Sequence, residues 1–287
     1  MNKYKEEDYW DTIIEADKLT LSLSFSKLWK YKDLILLFVK RDITTIYKQT
    51  VLGPVWFIIQ PVLTTLVYTV IFGGVLNAST AGTSHVLFYM SGITIWNFFS
   101  SSIIKTSNTF IANSSLYEKV YFPRLTIPIS NILSNFISFG IQFLVFLGMV
   151  AYYVFFKSLF IHINLLLIPL VPVLLIIVAF MSLGLGILIS SLTAKFRDLT
   201  FLVSFIVQLA MFMSPVLFPL STVHGKFKLL ILLNPMSSII ESIRYIFLNS
   251  GELNLYHLGY SSAFALIILV IGLIYFNYKE KSFIDTV

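Results

Sequence analysis

Between Leu125 and Phe156 the chain carries no charged side chain. A soluble domain cannot hide such a run, because roughly a quarter of its residues are ordinarily charged. The run also exceeds the roughly 20 residues that a helix needs to cross the hydrocarbon core of a bilayer. Several other stretches share the property. Over 287 residues only 12% are charged and 57% are hydrophobic, with a mean hydropathy of +0.86. The bilayer is therefore the main solvent, and one all-α membrane domain is expected.

Six spans are expected, at about residues 55–76, 86–104, 125–156, 165–192, 199–220 and 255–278, all within a transmembrane domain over 54–278. Gly53-Pro54 suits the bend into the first span and its first turn. Pro169 and Pro172 stand near the start of the fourth, Gly184 and Gly186 near its end, and Pro215 and Pro219 break the outer end of the fifth. The third is long enough to tilt or to project beyond the bilayer. Residues 221–252 are different: two short apolar segments, separated by Asn234-Pro235, cannot each cross, and the second carries Glu241 and Arg244. Two short re-entrant helices in the outer leaflet, between spans 5 and 6, fit this better than a further span. Glu241 and Arg244 stand one helical turn apart, the spacing of an ordinary solvated ion pair.

Before the first span, residues 25–53 form an amphipathic segment. Phe25, Leu28, Trp29, Ile35, Leu36, Val39, Ile43, Ile46 and Tyr47 fall on one arc about 120° wide at helical spacing. Lys27, Lys30, Arg41 and Lys48 face away from it. An interfacial helix along the headgroups is expected, its basic residues meeting anionic lipid. Residues 1–24, with six carboxylates and no continuous apolar core, read as a cytoplasmic tail and not as a cleaved signal. Residues 279–287 form a second cytoplasmic tail. With both termini inside, nine basic residues precede the first span, three lie in 105–124, two in 195–198 and two at the C-terminus, so 16 of the 20 share one side. The positive-inside rule supports that topology in a cytoplasmic (inner) membrane. It also explains the net charge of +6 as a partner of lipid, with no need of nucleic acid.

The chemistry is defined by what is missing. No Asp, Glu, Lys, Arg or His stands in the core of a predicted span, which argues against a carrier driven by an ion gradient. There is no cysteine, and His85, His162, His224 and His257 lack the spacing of a metal site. Nucleotide-binding and hydrolase motifs are absent, so no catalytic residue is assigned, and a partner must supply the energy for uphill movement. The 27 Phe, 15 Tyr and 4 Trp, interspersed with hydroxyls and amides, suit a path for sugar rings as well as ordinary interfacial belts.

Along nearly its whole length the chain resembles the ABC-2 type permeases that export O-antigen, teichoic acid and capsular polysaccharide. Tyr47-x-x-x-x-Leu52-Gly53-x-x-Trp56-x-x-x-x-Pro61 is similar to that family's first-helix approach. The most specific piece is the inner loop Asn113-x-x-Leu116-x-x-Lys119-Val120-x-Phe122-Pro123-Arg124-x-x-x-Pro128, and Arg197-Asp198, Ser214-Pro215-Val216, Leu233-Asn234-Pro235 and Phe283-x-Asp285 also fit. The resemblance implies a homodimer bound to two copies of a nucleotide-binding ATPase subunit, with ATP and Mg in that partner and no cofactor in this chain. The cargo it implies is an undecaprenyl-diphosphate-linked glycan. Leu116, Tyr117, Glu118, Lys119, Tyr121, Phe122, Pro123 and Arg124 would form the coupling helix, with Tyr117, Tyr121 and Phe122 filling a groove on the ATPase; Tyr117 and Glu118 depart from the aliphatic and basic residues of the pattern. Trp56, Tyr68, Trp96 and Phe212 would line the substrate path, and Lys40, Arg41 and Lys48 would attract the diphosphate at the entrance or meet lipid there. Asn234, Pro235, Glu241 and Arg244 would belong to the exit gate. An ABC-2 permease for drugs or other small substrates stays open as an alternative, and less so a membrane-embedded enzyme acting on lipid-linked sugars.

Overall fold

A computed structural model describes residues 25–49, 51–157, 162–193 and 196–280. The expected tail at 1–24, all but two residues of the expected tail at 279–287, Lys195 and the Phe283-x-Asp285 motif lie outside them. Among the described residues every regular element is helical. Two helices, α1 (Phe25–Lys30) and α2 (Lys32–Gln49), precede a first apolar rod of continuous helical turns over Gly53–Val75. That rod is α-helical over Trp56–Tyr68 (α3) and widens into π-helical turns over Thr69–Val75. Then come α4 (His85–Ser107), the short α5 (Thr109–Ala112) and α6 (Ser114–Lys119), α7 (Thr126–Phe156) and α8 (Leu170–Thr193). The chain closes with α9 (Leu199–Phe212), α10 (Lys226–Leu233), α11 (Pro235–Leu248) and α12 (Leu255–Glu280).

Five of these elements are long and apolar enough to cross a membrane: Gly53–Val75, α4, α7, α8 and Leu255–Tyr278 of α12. At 1.5 Å per residue α7 reaches about 46 Å, well beyond the roughly 30 Å hydrocarbon core. The expected fifth span over 199–220 is only partly a helix, since α9 stops at Phe212 after 14 residues, about 21 Å. Pro215 lacks an N–H, and its ring would crowd the carbonyl four residues earlier, so the helix ends before it. The chain continues in turns through Leu217 and a single 3-10 turn at Leu220–Thr222, with Val216, Leu217 and Leu220 buried. The fourth span starts as a helix at Leu170, after a separate 3-10 turn at Leu165–Leu167, so its prolines sit at or before the first turn, where they are tolerated.

The bundle is built around α4. It is the least apolar of the five long elements, and 78% of its most apolar window is buried inside the protein, against 11% for the first rod. Lipid gives no drive for apolar helices to associate, so small residues and hydrogen bonds select the centre. Asn135 on α7 donates to Ser102 (3.1 Å), and Asn131 donates to Thr109 (3.1 Å) and to the carbonyl of Lys105 (3.3 Å). Thr193 at the end of α8 donates to the carbonyl of Ser107 (2.7 Å). On its other face α8 packs along α12 at near backbone contact, where Gly184 and Gly272 leave no room for a Cβ.

Candidate functional site

The two ends of the bundle are built differently. At one end, α2 lies against the start of α7. The Phe38 ring meets Phe122 at 5.7 Å, and Phe38, Phe122 and Ile127 form a small core joined by Leu116 and Tyr117. Tyr117 stacks on Phe122 (5.4 Å, 24° between planes) and donates to the carbonyl of Arg124 (3.2 Å). Phe122 and Tyr117 are thus anchors inside this chain, and only Val120 (55% exposed) and Tyr121 (81% exposed) project from the segment as apolar side chains. The expectation that Tyr117, Tyr121 and Phe122 together fill a partner's groove narrows accordingly. Lys119 is exposed, and Pro123 and Arg124 are half-buried beside this core. α6 itself spans Ser114–Lys119 and includes Glu118.

On α2, Leu37, Lys40, Arg41, Thr44, Thr45 and Lys48 surround an open concavity of about 360 Å³. Arg41 is partly committed: it pairs with Asp42 (2.9 Å), reaches Asn113 (3.4 Å) and lies over the Phe38 ring. Of the aromatic residues expected along a path, Trp56 and Phe212 are about half exposed. Tyr68 is half-buried against Phe72 (5.8 Å) and Tyr89 (6.3 Å). Trp96 does not belong with them: it is 3% exposed and packs on Phe99 in the core, since it lies on the buried helix of the bundle.

At the opposite end, α10 and α11 meet at a 92° bend. Asn234 caps α11, accepting from the N–H of Met236 (3.0 Å), and Pro235 takes the first helical position. α12 satisfies the bend, Tyr260 donating to the carbonyl of Leu233 (3.0 Å) and Ser261 to that of Pro235 (2.7 Å). α11 is buried along nearly all of its length, between the Phe143 and Phe146 rings of α7, the start of α4, and α12. α10 leaves Phe227, Leu229, Leu230 and Leu233 exposed.

Glu241 and Arg244 pair at 3.2 Å as their spacing suggests, but they are buried, with side chains 3% and 0% exposed, where a solvated pair was expected. Every donor group of the Arg244 guanidinium has an acceptor: Nε the Ser91 hydroxyl (3.3 Å), Nη1 the carbonyl of Pro215 and the Glu241 carboxylate, Nη2 the carbonyls of Val216 (2.9 Å) and Phe88 (3.3 Å). The group also lies over the Phe88 ring, 3.6 Å from its centroid. The second carboxylate oxygen of Glu241 accepts from the N–H of Glu252 (3.3 Å). Sequence reasoning missed Phe88, Ser91 and Gly92, whose roles exist only through contacts from distant parts of the chain.

Compared with known proteins, residues 33–248 match the family model described as ABC-2 type transporter. The chain is 30% identical to an O-antigen export system permease protein RfbA of Klebsiella pneumoniae, over 88% of this chain and 94% of that protein. It is 29% identical to the protein of the same name in Myxococcus xanthus, over 77% and 82%. It is 24% identical to the polysialic acid transport protein KpsM of Escherichia coli, over 86% and 93%.

Proposed function

The chain belongs to the ABC-2 type transporter family, and from that premise we propose that it is the membrane permease subunit of an exporter for a lipid-linked polysaccharide, driven by a separate ATPase. The observation that carries this reading is the extent of the likeness, which runs over nearly all of this chain and of relatives named for O-antigen export and polysialic acid transport. The cargo class is an O-antigen-like or teichoic-acid-like glycan on undecaprenyl diphosphate. Two copies of the chain form the conduit in the cytoplasmic membrane, with both termini inside, and two ATPase subunits bind ATP and Mg on that side. The exposed halves of Trp56 and Phe212 are surfaces that a second copy and the glycan can meet.

α2 lies along the inner interface, where the concavity beside Lys40, Arg41 and Lys48 suits a diphosphate headgroup. α10 and α11 are re-entrant in the outer leaflet, a reading supported by their bend and by the protein that covers α11. ATPase docking falls to Val120 and Tyr121, which project past the Phe38, Phe122 and Ile127 core. The test is co-purification from the native host. Tyr121→Ala removes a large exposed aromatic without touching that core, and is expected to lower recovery of the ATPase at least about tenfold with chain abundance unchanged. Capture of no ATPase by the unaltered chain, in detergent that preserves its oligomer, would sink the exporter reading. Undiminished capture by the variant would move docking elsewhere.

A further inference from the structure

α9 stops at Phe212, and the chain runs on through the buried Ser214, Pro215 and Val216; an interrupted helix leaves carbonyls that need donors. The structure shows what takes them. Ala210 and Met211 accept from the N–H groups of Met213 and Ser214 within the closing turn. Beyond that turn, side chains of the bent pair take three more: the Met213 carbonyl by Asn234 Nδ2 (3.3 Å), the Pro215 carbonyl by Arg244 Nη1 and the Val216 carbonyl by Arg244 Nη2 (2.9 Å). Two sequence motifs far apart in the chain, Ser214-Pro215-Val216 and Leu233-Asn234-Pro235, are thereby joined. The same guanidinium reaches α4 through the carbonyl of Phe88 and the hydroxyl of Ser91. A side chain at Gly92 would place its Cβ 2.9 Å from Nη2 and 3.2 Å from the Cα of Val216, so the three elements approach closely at that position.

A buried ion pair is a costly way to gain stability, and well-packed apolar residues usually do as well or better. What this one adds is geometry. A planar guanidinium can face two successive carbonyls with separate N–H groups, which a lysine ammonium on a flexible stem does not reproduce. Glu241 balances the charge from one turn away and is itself held by the N–H of Glu252.

We infer that Asn234 and Arg244 are positioning residues for export: they cap the interrupted end of α9 and bind it to the bent pair and to α4, so that these parts move as one body when the bundle changes state. The connection to export rests on the function proposed above, whereas the capping does not.

The test uses the absence of native cysteine. A nitroxide is placed at Leu209→Cys on α9 or at Val270→Cys on α12, both about half exposed, in the full chain reconstituted in liposomes. Each label is combined with Arg244→Lys or Asn234→Ala. In parallel, surface polysaccharide is measured in cells carrying the same variants and normalised to chain abundance. Loss of these bonds is expected to raise nitroxide mobility at 209 and leave 270 unchanged, with export per chain falling about tenfold for Arg244→Lys. Unchanged mobility at 209 would overturn the inference. So would loosening at both positions, which would mean support of the whole fold only, or loosening at 209 alone with export at the wild-type level. If the unaltered chain exports no polysaccharide the proposed function fails, while the comparison of the two labels still decides the capping.

Discussion

Replacing Gly184 by alanine adds one methyl group where α8 crosses α12 at near backbone contact. A Cβ there would lie 2.6 Å from the amide nitrogen of Leu269, 2.7 Å from its Cα and 2.8 Å from the carbonyl carbon of Ile268. All three are backbone atoms of α12, so no rotamer change relieves the contact. Ordinary van der Waals contact begins at 3.4 Å, and 3.4 less 2.6 requires α12 to retreat by about 0.8 Å. A gap of that size forfeits about a quarter to a half of each dispersion contact along the seam, and overpacking of this kind costs about 1–3 kcal/mol. Gly140 on α7 is the internal control: nothing lies within 4 Å of its Cβ position, so alanine there should be neutral or stabilising by up to about 1 kcal/mol. The two variants should therefore differ by about 1–4 kcal/mol in equilibrium unfolding by SDS in mixed micelles, followed by tryptophan fluorescence. Gly272→Ala strikes the carbonyl oxygen of Gly184 at 2.6 Å, so one retreat of α12 relieves both sites. The double variant should cost less than the sum, with a coupling of about 1 kcal/mol. Equal stability of Gly184→Ala and Gly140→Ala would refute the close-contact argument.

Glu241→Gln keeps an acceptor for the N–H of Glu252 but leaves Arg244 charged and uncompensated in the interior; the same unfolding assay should show a loss of about 3 kcal/mol, and a loss below measurement error would mean that water reaches the pair. Arg41→Ala with Lys48→Ala removes two of the three cations around the α2 concavity. Export in a depletion strain should fall while co-purification of the ATPase holds, and unchanged export would leave those residues as lipid contacts only.

The fold was legible wherever hydropathy and helical period agree. α4, α7 and α12 lie within a few residues of the stretches expected for them, because a charge-free run in lipid has few other ways to satisfy its backbone. The first span is also where its composition puts it, although nothing in the pattern announced the π-helical turns at Thr69–Val75. The fifth span departs from its apolar run. Hydropathy reports what a side chain is made of and is blind to whether its backbone is helical. Val216, Leu217 and Leu220 are apolar and buried, so the apolar signal runs on past the point where α9 has already stopped. Pro215 and Pro219 were the visible warning, but an interruption shows its full extent only when the partners of the freed carbonyls are known.

The same blindness explains the functional ends. Spacing alone pairs Glu241 with Arg244, yet whether such a pair is solvated or buried is decided by groups more than 25 residues away in the chain: Phe88 and Ser91 before it and Pro215 between them. A stronger signal was present in a different form. In a chain with so few charges, an arginine in an apolar helix needs several acceptors, and a Ser-Pro-Val break supplies carbonyls that need donors. Each deficit is the complement of the other, and together they join the fifth segment to the bent pair at the level of sequence. At the other end the deficit is apolar. Once Phe38 and Tyr117 have claimed Phe122, Tyr121 is the large aromatic on that segment that this chain does not bury, and that exposure is what the proposed docking rests on.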